Sequence, residues 1–442
     1  MMIITLIKMK FYTYVKKYKY EKEKLNHMLF YMYDLIIVGG GISGLYLYYK
    51  LIHKSKKILL LEKNAVFGGR IYQHNEKVNN TELSFPAGAA RFNKNHIRVI
   101  QLLKEFGLLD FRKDKGWPAS IDFIDSKNKF SSKFDNKTGF DYIKIVLKHA
   151  NEIPDNELKQ KTFQEFALEV LKKEEVDFLL VASGYSGQLK HMNMYDAYFL
   201  FKNGIRADIN YFSGYYHLLI EDLVKYLQKH NAQLKNNMEV QSIEQNSEKN
   251  HYEIYCNKKK YNAKKIALCV PQESLLQFPF LNPIKKVLKN TIQCKSLCRT
   301  YALFNKNDIW FKDLEKKVIT NNPLRFIIPM DSEKGLIMIS YTDDIYTNYW
   351  KDKNEDELKI AIVKYVKETF GLTINPPEKT WVFYWNSGVA YWKKGINSEV
   401  ISKFINNPMP NVYICGENYS LNQSWVEGAL ETCDSCLKGM NI

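Results

Sequence analysis

The stretch Tyr33-Asp34-Leu35-Ile36-Ile37-Val38-Gly39-Gly40-Gly41-Ile42-Ser43-Gly44 decides the fold. Its first six residues are a short, largely apolar, β-rich run, the pattern of a strand covered on both faces in a parallel sheet. The glycines end that strand, apolar spacing from Ile42 to Ile52 predicts a helix, and a second apolar run, Lys57 to Leu61, stops at Glu62. Strand, glycine turn, helix, strand and acid form the order of a dinucleotide-binding unit. Gly39 permits the tight turn, Gly41 lets the backbone approach a pyrophosphate, and Gly44 lets helix and strand pack closely. The helix start at Ile42 and Ser43 offers free N–H groups to an anion. Glu62 lies 21 residues after Gly41, where a carboxylate can accept hydrogen bonds from ribose hydroxyls.

Beyond Glu62, the segment Lys63-Asn64-Ala65-Val66-Phe67-Gly68-Gly69-Arg70 resembles the signature after the second strand in the flavin amine oxidase superfamily, the monoamine, polyamine and L-amino acid oxidases. Gly68 and Gly69 would let the loop lie against the pyrophosphate, and Arg70 would add charge-assisted contacts. The far end is similar too: a strand Val412 to Cys415, then Gly416-Glu417, then Ser424-Trp425-Val426-Glu427-Gly428-Ala429-Leu430 opening a C-terminal helix. Cys415 replaces the family's usual small Ala. The resemblance implies FAD as cofactor, with Glu417 on the ribityl chain and the helix start from Trp425 through Val426 to Ala429 at the flavin N1/O2 edge. A helix N-terminus there stabilises the negative charge of reduced flavin. Val240 matches a position that backs the adenine, and Gly88-Ala89-Ala90-Arg91 one that lies near cofactor and substrate.

The implied fold is α/β: a FAD-binding Rossmann-like domain of glutathione-reductase type, with a mixed sheet and helices as the substrate domain. The expected division is 33–92, 208–275 and 405–442 for the cofactor, 93–207 and 276–404 for the substrate, and 1–32 as an extension without an assigned role. Asn231 to Ile243 reads as the third parallel strand. It follows a helix from Tyr215 to Gln228 and precedes strands near Tyr252 to Cys256 and Lys265 to Val270. Helical spacing recurs at Asn93 to Phe106, Phe163 to Val181, Met192 to Phe201 and Glu355 to Phe370. Strand-like runs occupy Cys298 to Phe304, Arg325 to Ile328, Leu336 to Tyr341 and Trp381 to Trp385.

In amine oxidation the flavin carries the redox chemistry, and the protein orients the substrate and excludes water. Trp425 matches a position that forms one wall of an aromatic cage around an amine. The second wall would come from Gly388-Val389-Ala390-Tyr391-Trp392, where a direct match places Ala390 at the aromatic position and Tyr391 reaches it only by a one-residue shift. The cysteine that tethers FAD in monoamine oxidases would fall at Val389, which implies noncovalent FAD. Arg299 aligns with the family lysine near flavin N5, and Arg stays charged where Lys can lose its proton. Arg91 resembles the arginine that grips the substrate carboxylate in L-amino acid oxidases, while the tyrosine that assists it is replaced near Ile328. His96 reads as part of a helix N-terminus rather than as a catalytic base.

Composition narrows the remaining classes. The chain has 442 residues, is 45% hydrophobic and 14% aromatic, and contains no apolar run near the ~18 residues of a membrane helix. Its charge of +16 comes from Lys spread along the whole chain, with Arg only at seven positions, so it reads as solvated surface rather than as a nucleic-acid interface. Seven cysteines, an odd number of which five (Cys256, Cys269, Cys294, Cys298 and Cys415) lie in or beside strand-like runs, point to a reducing compartment such as the cytoplasm. Cys433 and Cys436 have no second pair at ligand spacing, so no metal is expected.

The resemblance implies oxidation of a small amine or polyamine to an imine, with O2 as acceptor and hydrogen peroxide released. An L-amino acid is the alternative substrate, and desaturase-like C–C oxidation is a rival chemistry on the same framework. A third reading, a noncatalytic or particle-associated flavoprotein, follows from Arg299, Ala390 and a Lys/Asn/Tyr-rich composition like that of A/T-rich large DNA viruses. Oligomeric state stays open.

Overall fold

Leu35, Ile36 and Ile37 are fully buried because β1 (Met32–Val38) runs between two parallel neighbours. With both faces covered, each such side chain contributes about 1.5–3 kcal/mol on leaving water. In the computed structural model the described residues are 32–54, 56–109, 121–126, 132–203, 211–248 and 250–440. The extension expected over 1–32 lies outside them except for Met32, which belongs to the strand.

The neighbours of β1 are β2 (Ile58–Leu61) and β11 (Lys259–Leu268). Next to β2 stands β8 (Gln233–Lys235), and next to β11 stands β17 (Val412–Ile414), all parallel. The first half of β11 turns antiparallel against β10 (His251–Cys256), which pairs with β9 (Val240–Asn246). The third parallel strand is therefore only Gln233–Lys235. Val240 opens an antiparallel strand at the opposite edge, because Asn236 and Asn237 turn the chain out of β8. Met238 still donates its N–H to the Glu62 carbonyl at 2.8 Å, two residues before Val240.

Helix α1 (Ile42–Leu51) follows the glycine turn. Gly39 has φ +105°, and a Cβ there would lie 2.4 Å from the Cys269 carbonyl oxygen; a Cβ on Gly44 would lie 2.0 Å from the Gly39 oxygen. Both positions exclude any side chain, as the dinucleotide pattern requires.

A second, six-stranded sheet is ordered β16 (Lys379–Trp392), β12 (Ile292–Leu303), β15 (Leu336–Asp343), β14 (Phe326–Asp331), β13 (Lys317–Thr320) and β6 (Ile121–Ile124). Its pairs are antiparallel except β13 with β6. Two small ribbons complete the strands: β3 (Gln73–Val78) with β4 (Thr81–Pro86), and β5 (Arg91–Asn93) with β7 (Tyr211–Ser213).

Among the helices, α2 spans Ile97–Glu105 and begins later than the expected Asn93, because 91–93 pair as β5. Helix α3 (Gly139–Ala150) was not expected from spacing, although its Thr138/Asp141 capping box and buried Tyr142, Ile143 and Val146 are legible in retrospect. The expected single helix over Phe163 to Val181 is two, α4 (Phe163–Val170) and α5 (Lys173–Ala182), broken where Leu171 adopts φ −120° and ψ 156°. With α6 (Met194–Asn203) they cover one face of the second sheet, burying Tyr142, Phe163 and Phe178 in one cluster with Tyr301 and Met338. Helix α7 (Tyr216–Lys229) and the C-terminal α9 (Val426–Gly439) pack with α1 in the cluster of the first sheet. Helix α8 (Glu355–Phe370) ends, as expected, at Gly371 with φ +69°.

Candidate active site

The loops at the carboxyl ends of β1, β2 and β17 meet. Gly68 bridges to Gly41, its N–H bonding the Gly40 carbonyl at 2.9 Å. The buried Glu62 carboxylate accepts from Gly40 N at 2.7 Å and Asn64 N at 2.8 Å, which sets the exposed Lys63 beside it. Unlike Gly39 and Gly44, Gly41 faces room: a Cβ there would come no nearer than 3.8 Å to any atom. No side chain caps α1 at Gly41, so its first N–H groups are left for an anion.

Arg70 and Glu417, 347 residues apart, form an ion pair at 2.6 Å, with Glu417 nearly buried. Arg70 also donates to the Ser387 and Gly388 carbonyls at 3.2 Å. The second oxygen of Glu417 accepts from Ser424 N at 2.9 Å. That contact fixes the turn into α9, whose N-cap Trp425 makes no capping bond, so the N–H groups at Val426 and beyond are also open. Ala89 N bonds the Arg70 carbonyl at 3.0 Å and ties Gly88-Ala89-Ala90-Arg91 to the same loop. Cys415 is buried at the end of β17 and packs with Cys433 and Cys436 of α9, so the larger residue is accommodated by thiols.

On the side facing the second sheet, β5 and β7 present Arg91 and Tyr211. The Arg91 guanidinium donates to the Tyr185 hydroxyl at 3.0 Å and lies 4.7 Å from the Tyr211 ring centre. Tyr185 packs edge-on against Tyr341 at 5.5 Å, and Arg299 lies 4.7 Å over Tyr341 while donating to the Pro86 carbonyl at 3.1 Å. Burial alone would raise the Tyr341 hydroxyl, but Arg299 and Arg91 overcome it and hold the group below its ordinary value of 10. Lys317, at the start of β13, is 3% exposed and sits 5.7 Å from the same Tyr211 ring. Burial, and secondarily Arg91, pull its ammonium down to about 7.

Two expectations change here. The ring parallel to Trp425 is Tyr211, at 5.9 Å and 11°, not Tyr391. At that separation the rings are in mutual contact, so they form a packed pair rather than a cage with a gap for substrate. Tyr391 is buried on the same face of β16 as Val389, while Ala390 and Trp392 point to the other cluster. Strand alternation thus supplies the one-residue shift but sends the ring toward Gly187, where a Cβ would touch its hydroxyl at 3.3 Å. The second change concerns Arg91: Ile328 is a plain core residue, and the hydroxyl beside the guanidinium comes instead from Tyr185, on a segment whose spacing carried no signal for it.

His96 meets Trp425 edge-on at 4.7 Å, and burial holds it down to about 3, so it is neutral at ordinary pH and poorly suited to be a base. Among the described residues, His96 Nδ1, Trp425 Nε1 and Ser424 Oγ are buried without a hydrogen-bond partner. Buried polar atoms are seldom left so. Together with two uncapped helix starts and the open face of Gly41, they fit a polar ligand lying along this seam, as a flavin dinucleotide would.

The profile of the family described as flavin containing amine oxidoreductase matches residues 42–434. The chain belongs to this family. Among curated relatives, an uncharacterised protein of Acanthamoeba polyphaga mimivirus is 22% identical over 91% of this chain and 93% of its own length. Among solved structures, putrescine oxidase bound to putrescine superposes with a TM-score of 0.74 at 13% identity, covering 93% of this chain and 99% of that one. Cyclohexylamine oxidase from Brevibacterium oxydans gives 0.70 at 15%, covering 92% and 98%. The fold is the amine oxidase fold and the protein is a flavin-dependent amine oxidoreductase. Among the described residues no helix is long and apolar enough to cross a membrane, and no three His, Cys, Asp or Glu side chains are placed to hold a metal ion.

Proposed function

We propose that the chain binds FAD noncovalently along the Gly41–Gly69–Arg70–Glu417–Trp425 seam and oxidises the C–N bond of an amine that carries a carboxylate. The observation that carries this reading is the pairing of Arg91 with the Tyr185 hydroxyl at 3.0 Å, a planar donor and a hydroxyl side by side. The wider surround agrees: Arg299 and Lys317 are buried, and no carboxylate pairs with either among the described residues. A dication such as putrescine, held by the structural neighbour, would meet like charge here.

FAD, held by Gly41, Gly69, Arg70, Glu417 and the start of α9, would supply the two-electron acceptor that turns the C–N bond into an imine, with O2 as its reoxidant and hydrogen peroxide as the by-product. The protein's share is placement and electrostatics. Arg91 and Tyr185 hold the carboxylate and thereby fix which C–H bond faces the cofactor. The positive field of Arg299 and Lys317 disfavours the substrate's ammonium form, so the reactive neutral amine is reached without a dedicated base. Trp425, packed between Tyr211 and His96, walls the seam against water.

Anaerobic mixing of the flavin-loaded protein with amines, polyamines and amino acids tests this reading through the visible flavin absorbance. Bleaching by carboxylate-bearing amines, reversed by air, is the expected result. Bleaching by plain amines alone would return the site to amine or polyamine oxidation, and no bleaching by either would favour a noncatalytic, particle-associated role. The mimivirus relative is the observation that keeps that second reading in view.

A further inference from the structure

Lys317 is costly where it stands. Its residue is 3% exposed, its neighbours are the Tyr211 ring and the Arg91 charge, and no hydrogen bond or ion pair reaches its Nζ among the described residues. A buried ammonium without an acceptor is normally replaced by an apolar residue, or paired. The adjoining Lys316 shows the ordinary alternative: it is exposed and reaches Asp122 at 3.4 Å. Lys317 opens β13, whose four residues are all buried, while Lys316 stands just outside the strand and is exposed.

The position of Lys317 is specific. Arg91 and Lys317 both lie over the Tyr211 ring, at 4.7 and 5.7 Å from its centre, so the two charges are no further apart than the sum of those distances. Trp425 stacks on that ring, which brings the pair to the seam where the cofactor reading places the flavin. A short aliphatic chain with an anion at each end can span two cations within that limit.

We propose that Lys317 holds a second anionic group of the substrate, so that the site takes an amine bearing two carboxylates, of the acidic amino acid class. This rests on the reading of Arg91 as holder of the first carboxylate. The carboxylate on Arg91 is assigned as the one next to the reacting carbon because Arg91 directly follows the Gly88–Ala90 segment, tied to Arg70 by the Ala89 N–H, whereas Lys317 stands on the second sheet. Arg299, tied to the Pro86 carbonyl and Tyr341, contributes field without taking a carboxylate.

The test uses the full-length, flavin-loaded protein and ligands that cannot be oxidised. Glutarate and succinate supply two carboxylates, butyrate and propionate one; binding is read from the flavin absorbance perturbation and the melting temperature. The dianions are expected to bind about tenfold or more tighter than the monoanions. Lys317→Met should erase that gap, and Lys317→Arg should keep most of it. Monoanion binding reports Arg91 alone, so its loss would sink the carboxylate reading itself, while equal affinity for mono- and dianions in the unmodified protein overturns only the role of Lys317. In anaerobic reduction, glutamate or aspartate should bleach the flavin faster than leucine or norvaline; equal rates, or a gap that survives Lys317→Met, would also overturn it.

Discussion

Replacing Lys317 by Met should make the ligand-free protein more stable at neutral pH, which is the reverse of the usual result of altering a buried residue. Burial and Arg91 lower its ammonium from 10.5 in the unfolded chain to about 7 in the fold. Between those values the unfolded chain binds the proton more tightly, so stability falls as pH drops from 10.5 toward 7 and is level beyond either end. At about 1.4 kcal/mol per tenfold change in the proton equilibrium, the penalty at pH 7 is on the order of 3–5 kcal/mol. Methionine has similar length and no charge, so it removes the penalty while filling the space. The assay is thermal unfolding of both proteins at pH 7 and at pH 10. The variant should melt several degrees higher at pH 7, and the gap should close at pH 10. A variant that melts lower at pH 7, or a gap independent of pH, would mean that the ammonium has a partner in the ligand-free fold and that the argument from its isolation is wrong.

Four further outcomes follow from the same geometry. Arg91→Met should raise KM for carboxylate-bearing substrates about 100-fold or more, the scale for losing a charge-assisted pair, with a smaller change in kcat; steady-state kinetics decide it. Arg70→Met strands the Glu417 charge beside the seam, so the purified protein should lose most of its flavin, seen as a fall in visible relative to protein absorbance. Gly41→Ala meets no atom within 3.8 Å and should leave the flavin-free melting temperature nearly unchanged while weakening flavin binding, whereas Gly44→Ala, 2.0 Å from the Gly39 oxygen, should destabilise the fold by 1–3 kcal/mol or more, the scale of overpacking. His96, lowered from 6.5 to about 3, contributes stability present above pH 6.5 and lost as pH falls toward 3; His96→Phe should flatten that acid-side loss, measured as melting temperature against pH.

The cofactor half of the molecule was legible because its constraints are local. Gly39, Gly44 and Glu62 sit at fixed distances along one strand–helix–strand unit, and each needs a residue type that few other environments demand. The same locality made Glu417 and Trp425 readable at the far end. What failed was what depends on strands meeting: the short β8, where two asparagines end the strand well before Val240, and the ring facing Trp425, which arrives on β7 rather than on β16.

The substrate side was opaque for a further reason, visible at Lys317. In a chain where nearly all basic residues are lysine spread over every segment, the reading of dispersed charge as solvated surface is right on average, and it conceals the lysine that strand pairing turns inward. Lys316 and Lys317 are indistinguishable as letters. What separates them is that Lys317 is the first residue of β13 paired with β6, while Lys316 stands just outside the strand. Arg91 was noticed because Gly88-Ala89-Ala90-Arg91 resembles a family segment. The partners that give it a chemical meaning, Tyr185, Tyr211, Tyr341 and Lys317, come from four separate segments and carry no motif. A site selected for charge and hydroxyl placement, rather than for backbone shape, leaves this kind of trace: common residue types at unremarkable spacings, distinguished only by where the fold buries them.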